Sequence, residues 1–353
     1  MRVFVYEYAA LLGPQAAPSI QAEGRAMLAA VVADFARIGE VRVITLLHDR
    51  IGEALGDECL RVPPEREAEA FRAVAARADF TLVIAPETGG VLAERSRWVL
   101  AAGGRLLGST PEAIELAADK LAMSDPTRSP LSRTSGERGV AVARPQTCAR
   151  PLIPRAERAG DTALASMTFP LICKPRDGAG SQATFLVPSR SELAPILARA
   201  QAEVPDAEFI LQPFIAGMAV SAAFIIGDDW RMGLPPCRQR LSDDGRFHYL
   251  GGECPLSDDL AARAQRLAAS AMGMVPGLRG YIGVDLVLGD AADGSRDHVI
   301  EINPRLTTSY IGLRALAGGN LADVMLAAAT GHAPPDMTWK SGRVRFIAAG
   351  AVS

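Results

Sequence analysis

The chain has 353 residues, 49% of them hydrophobic and 22% charged, which is enough for two or three packed cores and too apolar for a disordered protein. Forty acidic against 37 basic residues leave a formal charge of −3, which argues against a dedicated nucleic-acid binder. No apolar run approaches the roughly 18 residues of a membrane span, and Glu7 falls where a signal peptide needs its apolar stretch, so a cytoplasmic protein is expected. Five cysteines with no CxxC pair fit the same reducing setting. One count is unusual. Thirty-four of the basic residues are Arg, and the lysines are Lys120, Lys174 and Lys340. Codon usage alone can produce that bias, but a Lys kept in such a chain marks a place where a compact point charge is required.

In chain order, residues 2–8 read as a buried strand. Residues 24–38 read as a helix with Met27, Leu28, Val31, Val32 and Phe35 at helical spacing. Strands over 41–47 and 80–85, helices over 65–78 and 91–102, and a short strand over 105–107 follow. This alternation predicts a parallel sheet covered on both faces. No G-x-G-x-x-G follows the first strand, which excludes a Rossmann dinucleotide site. From Ser124 to Thr168 the composition turns to Pro, Arg, Ser and Gly, a surface segment expected to be mobile. Strands over 169–174, 184–187 and 209–212 and a helix over 190–203 come next. Elements over 221–226, 258–273, 281–288, 298–302 and 321–330 complete a mixed α+β half.

Chemistry concentrates between Tyr281 and Arg305. Asp285 lies on one strand, and Glu301 and Asn303 lie two apart on the next, so they share a face while Ile300 and Ile302 pack behind them. If the two strands pair as a hairpin, Asp285 joins that patch. Two carboxylates and an amide oxygen are the hard ligands Mg²⁺ takes, with phosphates and water completing its shell. Pro304 stops the strand and sends Arg305 toward the same patch. Upstream, Lys174 ends a strand and Asp177-Gly-Ala-Gly-Ser181 follows. An ammonium and the amides of Gly178, Gly180 and Ser181 are thereby offered to an anion, without a Walker A motif anywhere in the chain. Lys120 is expected to end the helix that opens at Pro111, where a cation is favourable whatever its function. Gln212-Pro213-Phe214-Ile215 leaves free backbone groups at a strand end. The four histidines show no metal-ligand spacing, and the tryptophans and cysteines read as packing residues.

In this order the pieces resemble the ATP-grasp superfamily over nearly the whole chain. The resemblance implies an α/β (α+β) fold: an N-terminal pre-ATP-grasp domain (1–110), a small lid (111–211, including the 124–168 segment) and a C-terminal metal-bearing domain (212–353). It implies that Lys120 and Lys174 hold the ATP phosphates and that the Gly178–Ser181 loop closes over them. Gln212 and the backbone of Pro213 and Ile215 would pair with adenine. Asp285, Glu301 and Asn303 would bind two Mg²⁺ ions, a role Mn²⁺ can also fill, and Arg305 would contact the transferred phosphate. Two departures stand out. Ala219 replaces the acid expected to take the ribose hydroxyls, and Gly283 stands where D-alanine ligases carry an Arg, which makes Arg238 and Arg240 the nearest substitute cations.

Finer details are similar to the tyramine–L-glutamate ligases of methanofuran-type coenzyme biosynthesis: Tyr6-Glu-Tyr8, Glu23-Gly-Arg-Ala-Met-Leu28, Gln239 ahead of Tyr249-Leu-Gly-Gly252, and Asn303-Pro-Arg-Leu-Thr-Thr-Ser-Tyr310. Pyrrolysine-biosynthesis and other amino-acid ligases share part of that pattern. The activity implied is ATP-dependent amide formation between an amino-acid carboxylate and an amine through an acyl phosphate, with Lys174, Arg240 and Arg305 serving the chemistry. Its partners would be small molecules, not nucleic acid or membrane, and such ligases are often homodimers. The motifs alone do not separate this activity from a phosphotransferase on the same scaffold, and Ala219 leaves room for a non-catalytic nucleotide-binding protein.

Overall fold

A computed structural model describes residues 1–124, 157–158 and 167–353. The N-terminal part runs β1 (Arg2–Glu7), α1 (Tyr8–Leu12), α2 (Pro18–Ala36), β2 (Arg42–His48), β3 (Glu58–Val62), α3 (Glu67–Arg77), β4 (Phe80–Ile84) and α4 (Val91–Ala101). Its four strands form a parallel sheet in the order β3-β2-β1-β4. Val3, Phe4, Val5 and Tyr6 are all buried, as expected where helices cover both faces of a parallel sheet. The half-buried edge strand β3 was not anticipated, and the strand expected over 105–107 is a single bridge from Leu106 to Thr81.

Next come α5 (Pro111–Ala118), α6 (Lys120–Met123), β5 (Glu157–Arg158), β6 (Leu171–Pro175), β7 (Phe185–Val187), α7 (Arg190–Glu203) and β8 (Phe209–Pro213). The strands form an antiparallel sheet, β5-β8-β6-β7, with Ile196 and Ala200 of α7 packed on Leu171, Cys173, Phe185 and Leu211. Most of the segment expected to be mobile, 124–168, lies outside the described residues. Within the stretch expected to form one lid, Ala113, Ala117 and Met123 join the core of the next domain, and Ile114 of α5 joins that of the N-terminal domain.

That domain holds β9 (Met218–Ile226), β10 (Arg231–Gly233), β11 (Cys237–Leu241), β12 (Tyr249–Cys254), α8 (Asp258–Met272), β13 (Gly280–Leu288), β14 (His298–Asn303), α9 (Ser309–Leu316), α10 (Leu321–Thr330) and β15 (Val344–Phe346). Its antiparallel sheet runs β14-β13-β9-β11-β12-β15, with β10 beside β9. Alternation divides β13 between two cores. Ile282, Val284, Leu286 and Leu288 meet Ala264, Ala268 and Met272 of α8, whereas Tyr281 meets α9 and α10. Those two helices also pack on α2, so one continuous core joins both ends of the chain.

Asp34 of α2, 1% exposed, fastens this junction. It accepts from Tyr310 Oη at 2.7 Å and from Arg314 Nε and Nη2 at 2.9 and 2.7 Å. Among the described residues no helix is long and apolar enough to cross a membrane.

The ring of Phe346 is held between Gly252 of β12 and Gly312 of α9, and a Cβ on Gly312 would overlap it. Replacing Gly312 by Ala should therefore cost about 1–3 kcal/mol, the range for overpacking a filled core. Gly39→Ala, with nothing within 4 Å of its added carbon, should be neutral. Urea unfolding midpoints of the two variants check both.

Candidate active site

A chamber of about 260 Å³ opens between the four-stranded antiparallel sheet and the large one. From the smaller sheet come Ile172, Lys174 and Gln212, which share a face because Ile172 pairs with Gln212 across β6 and β8. Pro213, Phe214 and Ile215 continue the wall, as do Gly178, Gly180 and Ser181. Gly180 (φ 64°) and Ser181 (φ 59°) turn the loop, and Ser181 Oγ donates to Phe247 O at 2.8 Å. Gly178 faces Pro175, whose Cβ would lie 2.9 Å from an added carbon.

The large sheet brings the carboxylates. β13 and β14 pair with Asp285 opposite Glu301 and Gly283 opposite Asn303, so the expected hairpin forms. Asn303 Nδ2 donates to Asp285 Oδ2 at 3.0 Å, and Gln239 Nε2 donates to Asp285 Oδ1 at 2.9 Å. One detail differs from expectation. A register shift at this point makes Ile300 the extra residue of a bulge, so it faces the chamber beside Glu301 instead of packing behind it, while Ile302 is buried as expected.

Lys120 also differs. Asp119 breaks the helix with ψ 88°, so Lys120 opens α6 and does not end α5. The C-terminal dipole therefore does not explain it. Asp119 caps Ala122 N–H at 2.9 Å and pairs with Arg176 of the lid. This directs Lys120 into the chamber, where Nζ donates to Gly178 O at 2.6 Å and lies 3.3 Å from Glu301 Oε2.

Arg305 reaches the chamber as expected, but its Nε and Nη2 are taken by Glu87 of the N-terminal domain at 2.9 and 3.0 Å. Arg240 does not reach it. Residues on β11 alternate, so Gln239 and Leu241 face the chamber while Arg238 and Arg240 are exposed on the other side. Among the described lining residues Arg305 is the one arginine. An added carbon at Gly283 would lie 2.6 Å from Thr307 Cγ2, so that position has no room for an arginine.

Burial sets the protonation of these groups. Lys174 is pushed down to about 8 by burial and by the Lys120 charge. Burial also raises Asp285, with the Glu301 charge adding to it. Burial would raise Glu301 too, but Lys120 and Lys174 outweigh it and hold that carboxyl low. Burial opposes the charge on Arg305, and Glu87 wins, keeping it raised.

Among the described residues no group of three or more His, Cys, Asp or Glu side chains converges as a metal site. What Asp285, Glu301 and Asn303 offer is three hard oxygen donors, too few to enclose a cation and suited to Mg²⁺ that keeps phosphate and water in its shell. On that donor chemistry the residues fit the ion.

The sequence profile of the ATP-grasp domain matches residues 148–309, and that of the pre ATP-grasp 3 domain matches residues 41–114. The chain thus carries a pre ATP-grasp domain followed by an ATP-grasp domain. A tyramine–L-glutamate ligase from Methanocaldococcus jannaschii is 25% identical over 338 residues, which is 92% of this chain and 88% of that protein. Biotin carboxylase from Campylobacter jejuni superposes with a TM-score of 0.74 at 15% identity, covering 98% of this chain and 74% of that one. The L-amino acid ligase from Bacillus licheniformis gives 0.63 at 15% identity, covering 93% and 73%. These two superpositions carry the ATP-grasp fold. The matched domain and the M. jannaschii relative, itself named a ligase, are consistent with ATP-dependent ligation.

Chamber residues beyond the expected set differ in how far the sequence announced them. Thr307, Thr308 and Ser309 lie just past Leu306, inside the Asn303–Tyr310 stretch that the resemblance singled out. Glu23, in the Glu23–Leu28 stretch that the resemblance singled out, accepts from Thr308 Oγ1 across 285 residues of chain, a pairing that no local pattern announces. Glu87 follows the carboxyl end of β4, the edge where open α/β sheets place ligands, and that rule was the available signal.

Beside this site Glu7 is 4% exposed, caps α1 by accepting from Ala9 and Ala10 N–H at 3.2 and 2.6 Å, and fits because Gly24 leaves it space. Burial pushes its carboxyl up to about 7. A folded value above the unfolded one means stability present below about pH 4.5 and lost as pH rises toward 7. Glu7→Gln should therefore gain on the wild type by on the order of 2–3 kcal/mol between pH 5 and pH 8. Urea midpoints at the two pH values measure the difference.

Proposed function

We propose that the chain joins an amino-acid carboxylate to an amine, using ATP and releasing ADP and phosphate. Support comes from the convergence of Lys120, Lys174 and Arg305 on Asp285, Glu301 and Asn303 across one chamber. The named substrates of the 25% identical relative favour L-glutamate as the acid and tyramine or a tyrosine-like amine as its partner. Both are small molecules, and the reaction is placed in the cytoplasm.

In the first step a carboxylate oxygen attacks the γ-phosphorus. The bond from phosphorus to the β,γ-bridging oxygen breaks, and ADP leaves with that electron pair. In the second step the amine nitrogen attacks the acyl carbon and gives up a proton, and phosphate departs with the carbon–oxygen bond pair. Little covalent work falls on the protein; it positions groups and offsets charge.

Lys120 and Lys174 hold the phosphates, with amides of the Gly178–Ser181 loop around them. Gln212 and the Pro213–Ile215 backbone hold the adenine edge. Asp285, Glu301 and Asn303 would hold Mg²⁺, as two ions, which supplies charge neutralisation for the β- and γ-oxygens when bound. Arg305 steadies the transferred phosphoryl oxygens. Arg240, exposed on the far side of β11, has no part in this reading. Loop and lid keep water from the acyl phosphate before the amine arrives.

Incubation with ATP, Mg²⁺, glutamate and tyramine should yield the amide, detected by mass spectrometry, and hydroxylamine should trap the acyl phosphate. Lys174→Ala and Glu301→Ala should abolish both signals while the far-ultraviolet dichroism is kept. Undiminished turnover in either variant would refute these roles, and ADP release with a phosphorylated product and no amide would favour a phosphotransferase. Lys120→Arg and Lys174→Arg should lower turnover on the order of tenfold or more, because a planar fork does not replace a compact ammonium. Lys340→Arg, remote from the chamber, should leave turnover unchanged.

A further inference from the structure

Glu87 lies just beyond β4 on the turn that leads into α4. It is 5% exposed, and both of its oxygens are spent on Arg305, Oε1 on Nε at 2.9 Å and Oε2 on Nη2 at 3.0 Å. This is the fork-on-fork geometry in which a carboxylate fixes the plane of a guanidinium as well as its charge. The third nitrogen, Nη1, has a long contact of 3.4 Å with Leu306 O and, among the described residues, no ion pair of its own. Arg305 is thus held by two nitrogens, and one remains to be offered to an anion.

The turn carrying Glu87 is itself tied to the chamber. Gly89, in the left-handed region at φ 64°, donates its N–H to Asp177 Oδ2 at 2.8 Å. Asp177 opens the glycine loop, and the next residue's carbonyl accepts from Lys120. A short stretch of the N-terminal domain therefore touches the arginine on one side and the phosphate loop on the other.

We propose that Glu87 is a positioning residue for the transfer step: it fixes the Arg305 guanidinium so that Nη1 meets the phosphoryl or carboxylate oxygens of the substrate. The inference rests on the ligase reading above. A pair that merely welded the two domains would affect stability and leave the chemistry of the folded enzyme untouched. Orientation acts on turnover, because it matters when charge moves between oxygens.

The test uses the full chain with MgATP and the amino acid and amine that give product. Glu87→Gln, which keeps size and one acceptor but loses the charge, should lower kcat on the order of 10–100-fold, with KM for ATP changed by less than about twofold. Glu87→Asp should recover part of the loss. A second readout does not depend on turnover. In ¹⁵N-arginine-labelled protein the Arg305 Nε–H bonded to Glu87, assigned by its absence in Arg305→Lys, should exchange slowly with solvent and shift in Glu87→Gln.

A kcat within twofold of wild type in folded Glu87→Gln would overturn the proposal, as would an Nε–H signal that does not respond to the substitution. If the wild type forms no amide with any pair, the ligase reading falls and the role in transfer falls with it. The Nε–H signal then still decides whether Glu87 orients Arg305.

Discussion

The structure depends on one constraint: a set of largely buried charges that must neutralise each other around one chamber. Lys120 and Lys174 are 8% and 7% exposed, and they face Asp285 and Glu301. Any one of these alone would carry a heavy desolvation cost. Together they offset part of it, and the 3.3 Å pair between Lys120 and Glu301 is the direct expression of that balance. A nucleotide triphosphate with a divalent cation can replace this internal balance by an external one, giving phosphate to the lysines and cation to the carboxylates. On the proposed function, the same charges that balance each other internally are the ones that take up the nucleotide and its cation.

The constraint also explains the division of labour among the sheets. Lys174 comes from the small antiparallel sheet, whose Cys173 and Leu171 neighbours are buried under α7, so its position is fixed by a core. The carboxylates come from β13 and β14, held by nine cross-strand pairs between β13 and β9. The N-terminal domain contributes through Glu87, on the turn after β4, to Arg305 and through Asp34 of α2 to Tyr310 and Arg314. Removing one partner of such a buried pair costs roughly 3–5 kcal/mol, so these links resist loss even though an apolar replacement of both sides need not be worse.

Much of this was legible in the sequence because it is local. Glu301-Ile-Asn303-Pro-Arg305 needs period-two alternation and a strand-stopping proline, and the chain supplies both. The parallel sheet followed from the alternation of apolar runs with helical spacing. What failed was whatever depends on a register or a break. The bulge that turns Ile300 into the chamber is a pairing irregularity with no composition of its own. β11 and β12 carry Arg238, Arg240 and two adjacent glycines, which hid them as strands, and without the strand there was no face on which to sort Arg240 from Gln239. The break before Lys120 comes from Asp119, whose side chain caps the next helix instead of extending the last. Glu87 and Glu23 are bound to partners more than 200 residues away, and one sequence does not carry that information.

The scarcity of lysine can now be given a physical reading. In the chamber Lys120 Nζ must reach Gly178 O at 2.6 Å and stand beside Glu301, a job for a narrow ammonium on a long stem. Lys340, the one without a chamber role, donates to Ala315 O at 2.8 Å near the end of α9, where a cation meets the negative pole of the helix. Arg305 shows the opposite requirement. Its bond to Glu87 uses two nitrogens of a planar fork at once and leaves a third, which an ammonium could not do. In a chain that uses Arg almost everywhere, the choice between the two cations thus follows geometry: a fork where one carboxylate fixes orientation, a point charge where several oxygens converge.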